Sequence, residues 1–465
     1  MSESLAFPRN RPREHLQSVC HIRFRRDQVG ALGMSPRRGR CRRMLLRAGS
    51  KVDRMFPPRS GVRRLLRGGG EAIVTTSALR GMEVHGMGGG AGRIRIGAIM
   101  AGGTGERFWP VSRPDRPKQL LPLGPSNRTL LEDTVSRFNG VVPSERLLIV
   151  TSKGLRAPIV AAELPLPDDH VIAEPSKRNT LGAVAWLTAH VTGRLGAHPD
   201  ETTLAIVSAD QYVGNVETLR SNLTLAMTAA ERLDSLVIVG VQPTRPETGY
   251  GYIEMGKSAE PLMPDVEGAD RVHQVAAFRE KPDAVTAEEY FRSGGFLWNA
   301  GMFFWGVSTF MRELEAAQPE VAGLVRDMTR ALAEGEEAEA ERLFAELPAT
   351  SIDYALMEHA EDVLVVRAGF AWDDIGAWDA WRRMAECDER GNAIVGDPLL
   401  IDCHDCAVYD ELGDAGISVA VIGMDEVVVA ATSDGVLVAP LERAQEVRDV
   451  ARRIHQTRRD TRGSE

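Results

Sequence analysis

The stretch Ile96-Gly97-Ala98-Ile99-Met100-Ala101-Gly102-Gly103-Thr104-Gly105-Glu106-Arg107, continued by Phe108-Trp109-Pro110 and then Pro117-Lys118-Gln119, decides how the rest of the chain is read. An apolar run breaks into a glycine-rich turn, and two cations follow. Glycines let a backbone approach a polyphosphate closely with its N–H groups turned inward, and Arg107 and Lys118 add the fixed positive charge such a ligand needs. Ala101, Gly102, Gly103 and Gly105 are therefore candidate nucleotide contacts. Without the two cations, the same glycines would more often read as a tight connection between two elements. A Walker-type loop would end in Gly-Lys-Ser/Thr, and a dinucleotide fingerprint needs a third Gly where Arg107 and Phe108 stand. Neither pattern fits.

Moving outward, short β-rich runs near residues 95–100, 147–150, 170–173, 203–208 and 235–241 alternate with amphipathic stretches. That alternation predicts an α/β fold with a Rossmann-like, mostly parallel sheet. Thr129 and Glu132 stand in capping-box spacing, so a helix is expected to start there; others are expected over about 180–195 and 216–233. Ligands of open α/β sheets bind beyond the carboxyl ends of the strands, where Gly102, Glu174 and Asp210 all fall. After about residue 242 the texture becomes an insertion with Gly249 and Gly251, then an acidic helical stretch near 310–346; these pieces are expected to roof the ligand face. Residues 93–390 are read as the catalytic domain and 391–465 as a small C-terminal β domain with a terminal helix near 441–454.

Charge is unevenly distributed. Residues 1–92 hold 19 Lys+Arg against 6 Asp+Glu, whereas the remainder holds 37 against 59, and the whole nets −9. The first segment is rich in Arg, Gly and Pro without apolar periodicity, so it is expected to be disordered. A nucleic-acid or membrane tail, an organelle transit peptide, and sequence upstream of the true start at Met82 or Met87 are the competing accounts, the last being preferred. No run reaches the ~18 apolar residues of a membrane span. A cytoplasmic location is expected, with neither nucleic acid nor membrane as partner. Of five cysteines, only Cys403 and Cys406 are closely spaced; with no second pair to complete a zinc site they read as small core residues.

Asp210 closes the apolar run Thr203-Leu204-Ala205-Ile206-Val207-Ser208-Ala209, placing a carboxylate where a core strand surfaces. That position suits Mg²⁺ on a polyphosphate, an ion that takes oxygen donors and usually only one or two carboxylates. A turn or N-cap Asp is the plainer alternative. Phe278-Arg279-Glu280-Lys281-Pro282 offers a point charge suited to a phosphate monoester beside an acceptor for hydroxyls, although such a pair is commonly solvated surface. Thr248-Gly249-Tyr250-Gly251-Tyr252-Ile253 is a strand interrupted by glycine, as expected where another molecule approaches the backbone.

The arrangement G-G-T-G-E-R-F-W-P followed by P-K-Q resembles the signature of sugar nucleotidyltransferases, in their mannose-1-phosphate guanylyltransferase branch. Other stretches resemble the same branch in the same order over about 94–390. Phe278–Pro282 is similar to F-x-E-K-P, which implies that Glu280 and Lys281 bind the sugar phosphate. Trp298-Asn299-Ala300-Gly301 is similar to W-N-S-G, which makes Asn299 a sugar ligand, and T-G-Y-G-Y-I includes Gly251. Glu174-Pro175 with Arg178-Asn179-Thr180 resembles E-P-x-x-R-N-T, placing Asn179 near the nucleotide. Trp372-Asp373-Asp374-Ile375-Gly376-Ala377-Trp378 resembles W-x-D-V-G-x-W, so Asp374 rather than Asp373 inherits the role of second metal ligand. Gln211 stands where the family has His. Ser351-Ile352-Asp353-Tyr354 also matches and is read as helix packing.

The resemblance implies an enzyme that joins GTP to mannose 1-phosphate with Mg²⁺, releasing diphosphate, and that works as a homo-oligomer, a dimer, through its C-terminal β arm. No fused isomerase half is expected. Another nucleotide and hexose phosphate pair, a silent regulatory paralogue and a nucleotide-binding oxidoreductase are the alternatives; Arg107 in place of the third dinucleotide Gly weighs against the last.

Overall fold

The computed structural model describes residues 93–124, 126 and 128–462. The Arg-rich stretch 1–92, and with it the expectations of disorder and of a start at Met82 or Met87, lies outside the described residues.

Eleven strands come first in the chain: β1 Ile94–Met100, β2 Leu147–Ser152, β3 Val171–Glu174, β4 Thr202–Ser208, β5 Tyr212–Val213, β6 Leu236–Val241, β7 Tyr252–Ser258, β8 Val272–Arg279, β9 Phe296–Gly306, β10 Val363–Arg367 and β11 Trp372–Asp373. Nine of them form one sheet in the order β3-β2-β1-β4-β9-β6-β10-β8-β7. The first four pair in parallel, β6 pairs β10 in parallel, and β8 and β9 run against the rest. The α/β architecture is the one the alternating pattern predicts, and its antiparallel members come from the insertion after residue 242.

The central strands are buried on both faces, as parallel strands covered by helices must be. Along β4, Leu204 and Ile206 enter one core, and Ala205 and Val207 the other. Helices α1 (Leu130–Arg137), α2 (Lys153–Ala161) and α4 (Val216–Leu233) supply one face, and α3 (Asn179–Ala189) lies on the other. Helix α1 starts where its capping box predicts: Thr129 N donates to Glu132 Oε2 at 2.7 Å, and Glu132 N donates to Thr129 Oγ1 at 3.2 Å. Leu181 to Ala189 are all buried, which explains the weak amphipathic signal of α3: it lies between the sheet and a further helical layer. After the short helix α5 (Ala284–Ser293), that layer is α6 (Val307–Ala317), α7 (Pro319–Glu334) and α8 (Glu337–Phe344). These acidic helices were expected over the ligand face. They pack instead on α3 and β9 through Phe310, Leu314, Val325 and Met328, because the apolar outer surface of α3 needs cover.

Beyond α9 (Trp378–Met384), the strands β12 Ala393–Val395, β13 Leu399–Ile401, β14 Ala407–Asp410, β15 Ala420–Ile422, β16 Val427–Thr432 and β17 Gly435–Pro440 follow. Strands β12, β14 and β16 stack in parallel, as do β13 and β15, so the chain winds in short parallel coils that β17 closes by antiparallel pairing. A 3₁₀ turn over Leu441–Glu446 leads into α10, Val447–Arg462, which runs further than the expected end near 454. Cys403 and Cys406 are buried there with Val408, Val421 and Val429. The apolar face of this β unit is shared with the glycine-loop segment: Phe108, Trp109 and Val111 join Trp378, Trp381, Tyr409, Val428, Leu437, Val447 and Ala451 in one core.

Candidate active site

Two registers of the sheet position the site. Met100 lies opposite both Val150 and Ser208, so the chain leaves β1 and β4 at the same level, and Ala209 N donates to Met100 O at 3.0 Å. The glycine loop and Asp210 therefore emerge side by side. Gly105 adopts φ +66°, and a Cβ on it would stand 2.4 Å from Lys118 Cβ and 2.8 Å from Ser112 Oγ, so only glycine fits. Ser112 Oγ donates to Thr104 O at 2.8 Å, and Gln119 Nε2 and Thr151 Oγ1 donate to Ala101 O at 2.9 and 2.8 Å. Ala101 N in turn donates to Val150 O at 2.7 Å, so both backbone polar atoms of Ala101 are spent inside the protein. Gly103, Gly105 and Arg107 line a cavity of about 390 Å³ with Thr104, Glu106, Lys118, Ser208, Asp210, Gln211, Asp374, Gly376 and Arg448. Arg107 Nε is buried without a hydrogen-bond partner among the described residues.

Asp374 reaches this cavity through a two-residue ribbon: β5 and β11 pair antiparallel, with Asp373 opposite Tyr212. The loop after β11 is thereby laid beside the loop after β4. Lys118 Nζ, almost fully buried, donates to Asp210 Oδ2 at 3.0 Å and to Asp374 O at 2.9 Å. Burial would raise the Asp210 carboxyl, but the Lys118 charge and the Ser208 hydrogen bond at 2.6 Å outweigh it and hold the group below its ordinary value. The Asp374 carboxyl is raised, mainly by burial, with Asp373 and Asp210 adding like charge. Asp374 Oδ1 accepts from Tyr250 Oη at 2.9 Å and Gly376 N at 3.0 Å. Asp373 is 1 % exposed and is shared among Ile375 N, Tyr250, Arg245 and Arg383. It ties the loop together, while Asp374 faces the cavity.

No group of three or more His, Cys, Asp or Glu side chains suited to a metal occurs among the described residues. Two carboxylates facing one polar cavity fit a Mg²⁺-like ion, which keeps waters and takes phosphate oxygens for its other positions.

Gly251, Glu280, Lys281 and Asn299 converge in a second cluster. A Cβ on Gly251 would meet Glu280 Oε2 at 2.6 Å and Asn299 Cβ at 3.4 Å, so glycine is needed for three segments to meet. Asn299 N donates to Gly251 O at 2.8 Å, Asn299 Oδ1 accepts from Gly301 N at 3.0 Å, and Asn299 Nδ2 donates to Asp353 Oδ1 at 2.9 Å. Lys281 sits at φ +46° and pairs with Glu280, which, with its neighbours, raises the ammonium despite partial burial. Asp353 is one of the residues the sequence reading missed: taken as helix packing, it belongs to this cluster, its carboxyl pushed up to about 6 by burial and by the charge of Glu280. Its place inside an element that otherwise contributes Ile352 and Leu356 to the core concealed it.

Gln211 spans the two clusters. Its Nε2 donates to Ala300 O at 2.7 Å and its buried Oε1 has no partner among the described residues. At the third edge, Glu174 ends β3, its carboxyl pushed up to about 7 by burial, against a smaller opposing effect of Lys177. Its Oε1 lies 3.5 Å from where a Cβ on Gly102 would stand. Asn179 opens α3 at φ +60° with its Oδ1 accepting from Thr180 N at 2.9 Å, and it is not among the residues lining the cavity. Arg448 and Glu106 were not anticipated as site residues at all; one lies far along the chain and the other at a position the loop signature leaves open.

The chain is similar to known proteins over most of its length. A family model described as Nucleotidyl transferase matches residues 96–390, and one described as MannoseP isomerase/GMP-like beta-helix domain matches 396–454. The Klebsiella pneumoniae protein named Mannose-1-phosphate guanylyltransferase is 33 % identical over 78 % of this chain and 74 % of its own length. The Xanthan biosynthesis protein XanB of Xanthomonas campestris is 36 % identical over 77 % of this chain and 72 % of its own. Among solved structures, one titled mannose-1-phosphate geranyltransferase, from Thermus thermophilus, superposes with a TM-score of 0.66 at 36 % identity, covering 78 % of this chain and 99 % of that one.

Proposed function

Because the chain belongs to the nucleotidyl transferase family, in its mannose-1-phosphate guanylyltransferase branch, we propose that it joins GTP and α-D-mannose 1-phosphate into GDP-mannose and diphosphate. The observation that carries the proposal is the pairing of two adjacent clusters, one built for a polyphosphate and one for a sugar phosphate, bridged by Gln211. A phosphate oxygen of mannose 1-phosphate attacks the α-phosphorus of GTP in line, the α–β phosphoanhydride bond breaks, and diphosphate leaves with its electron pair. Such transfer needs positioning and charge stabilisation more than covalent help.

Backbone N–H groups of Gly102, Gly103 and Gly105 cradle the triphosphate, and Asn179 orients the nucleotide from the start of α3. Arg107, whose Nε has no partner among the described residues, and Lys118 stabilise charge on the departing diphosphate. Lys281 anchors the sugar phosphate, with Glu280 and Asn299 on the hydroxyls; Asp353 positions Asn299 through the 2.9 Å hydrogen bond. Asp210 and Asp374 would hold the divalent ion, Mg²⁺ by its preference for oxygen donors, which neutralises phosphate charge when bound. Tyr250, whose hydroxyl is raised by burial and by the two aspartates, stays a donor and keeps Asp374 oriented.

No helix among the described residues is long and apolar enough to cross a membrane; a cytoplasmic enzyme is the location we propose. A homodimer is supported by the apolar side chains that the C-terminal β unit exposes, Leu399 and Ile422 on one sheet and Val436 and Val438 on β17. The test of function is a matrix of nucleoside triphosphates against hexose 1-phosphates with diphosphate release as readout. Turnover greatest with GTP and mannose 1-phosphate is expected; a different preferred pair, or no release with any pair, would overturn the proposal.

A further inference from the structure

Helix α10 is seated directly on the glycine-loop segment. Its Val447 and Ala451 are 2 % and 1 % exposed and share the core of Phe108 and Trp109. Gly435, which opens β17 of the same unit, faces the Trp109 ring so closely that a Cβ would stand 2.8 Å from it. The helix backbone is thus indexed to the loop, whereas its charged side chains remain about half exposed. Two of them, one helical turn apart, reach the same loop carboxylate: Arg452 Nε lies 3.0 Å and Arg448 Nε 3.4 Å from Glu106 Oε2. Only Arg448 is also part of the cavity wall.

The cavity wall carries Arg107, Lys118 and Arg448 against Glu106, Asp210 and Asp374. Lys118 is shared with Asp210 and the Asp374 carbonyl, so further positive charge for a polyphosphate comes from Arg107 and Arg448. We propose that Arg448 is a third cation of the nucleotide site, contributed by the C-terminal unit. It exchanges Glu106 for the terminal phosphates of the incoming triphosphate and releases them as diphosphate departs. Glu106 then acts as the counter-charge that holds the guanidinium near the cavity when no nucleotide is bound. This inference rests on the reading that the cavity takes a nucleoside triphosphate.

Titration calorimetry of the full chain with inorganic diphosphate and with GTP, in Mg²⁺, tests it. Arg448→Ala is expected to weaken both about 10-fold or more, on the scale of a lost charge-assisted contact; Arg448→Lys should fall between. Glu106→Gln should tighten diphosphate binding, the opposite sign, and Arg452→Ala should change it less than about twofold. In the reverse reaction, Arg448→Ala should raise the KM for diphosphate and leave that for GDP-mannose unchanged, since the latter has no terminal phosphates to lose. Equal binding by wild type and Arg448→Ala, a shift of the same sign in Arg448→Ala and Glu106→Gln, or a wild-type chain that binds neither ligand would overturn the inference. Should the wild type bind diphosphate in this Arg448-dependent way yet transfer nothing to mannose 1-phosphate, the inference stands and the proposed reaction fails.

Discussion

Lys118 Nζ lies 3.0 Å from Asp210 Oδ2 while donating to the backbone oxygen of Asp374 at 2.9 Å, so one buried cation stitches together the two loops whose carboxylates face the cavity. The same ammonium that would assist diphosphate departure neutralises a metal-ligand candidate while the site waits. Lys118→Gln should therefore move two observables in opposite directions. Turnover should fall about 10²- to 10³-fold, as for loss of a transition-state donor, while Mn²⁺ affinity of the nucleotide-free protein, read by calorimetry or electron paramagnetic resonance, should rise. Weakened ion binding would show that Lys118 does not compete with the metal.

Lys281 belongs to the other cluster, with Glu280 as its ion-pair partner. Replacing it by Ala should raise the KM for mannose 1-phosphate about 10- to 100-fold and that for GTP less than about threefold, measured by initial rates with each substrate varied in turn. Equal increases for the two substrates would remove the assignment.

Gly105 combines a left-handed backbone with a 2.4 Å approach of a would-be Cβ to Lys118 Cβ. In Gly105→Ala the conformation alone costs about 1–2 kcal/mol, and the clash must also displace the Lys118 side chain. A lower thermal midpoint and a turnover loss of at least about tenfold are expected, seen by calorimetric melting and diphosphate release. Lost stability with intact turnover would mean that Lys118 is not held in place by this contact.

Glu174 gives a pH test of stability. Its carboxyl is pushed from about 4.5 up to about 7 in the folded chain, mainly by burial. Between those values the folded state keeps a proton that the unfolded state has released, so its contribution favours folding most below about pH 4.5. It declines as pH rises to about 7, by at most about 3 kcal/mol. Glu174→Gln lacks this ionisation. Its melting midpoint relative to wild type should rise between pH 5 and pH 8 and level off above that; a difference independent of pH would contradict a buried, protonated Glu174.

Much of this site was legible along the chain because local chemistry and strand ends announce it. The break from Ile96–Met100 into glycines, the capping box at Thr129 and Glu132, and the acid closing β4 each follow from a short stretch, so strand, helix start and site edge could be read before any fold existed. Lys281 and Asn299 were harder: as isolated residues each has a plain surface or turn reading, and resemblance to a family supplied what periodicity could not. Asp353 escaped because helical spacing around it matched core packing, and that spacing does not say which way the intervening side chain turns.

The chain alone determined the alternating α/β layout and the identities of the chemical groups, since these depend on periodicity over a few turns or pleats. Tertiary structure alone decided which distant groups meet. The two-residue β5–β11 ribbon brings Asp374 beside Asp210, and the absence of a Cβ at Gly251 lets Glu280 and Asn299 converge. A shared aromatic core seats α10 so that Arg448 reaches a loop more than three hundred residues earlier. Such meetings are set by packing of whole layers and by which loops share a sheet edge, quantities that no local window of sequence contains.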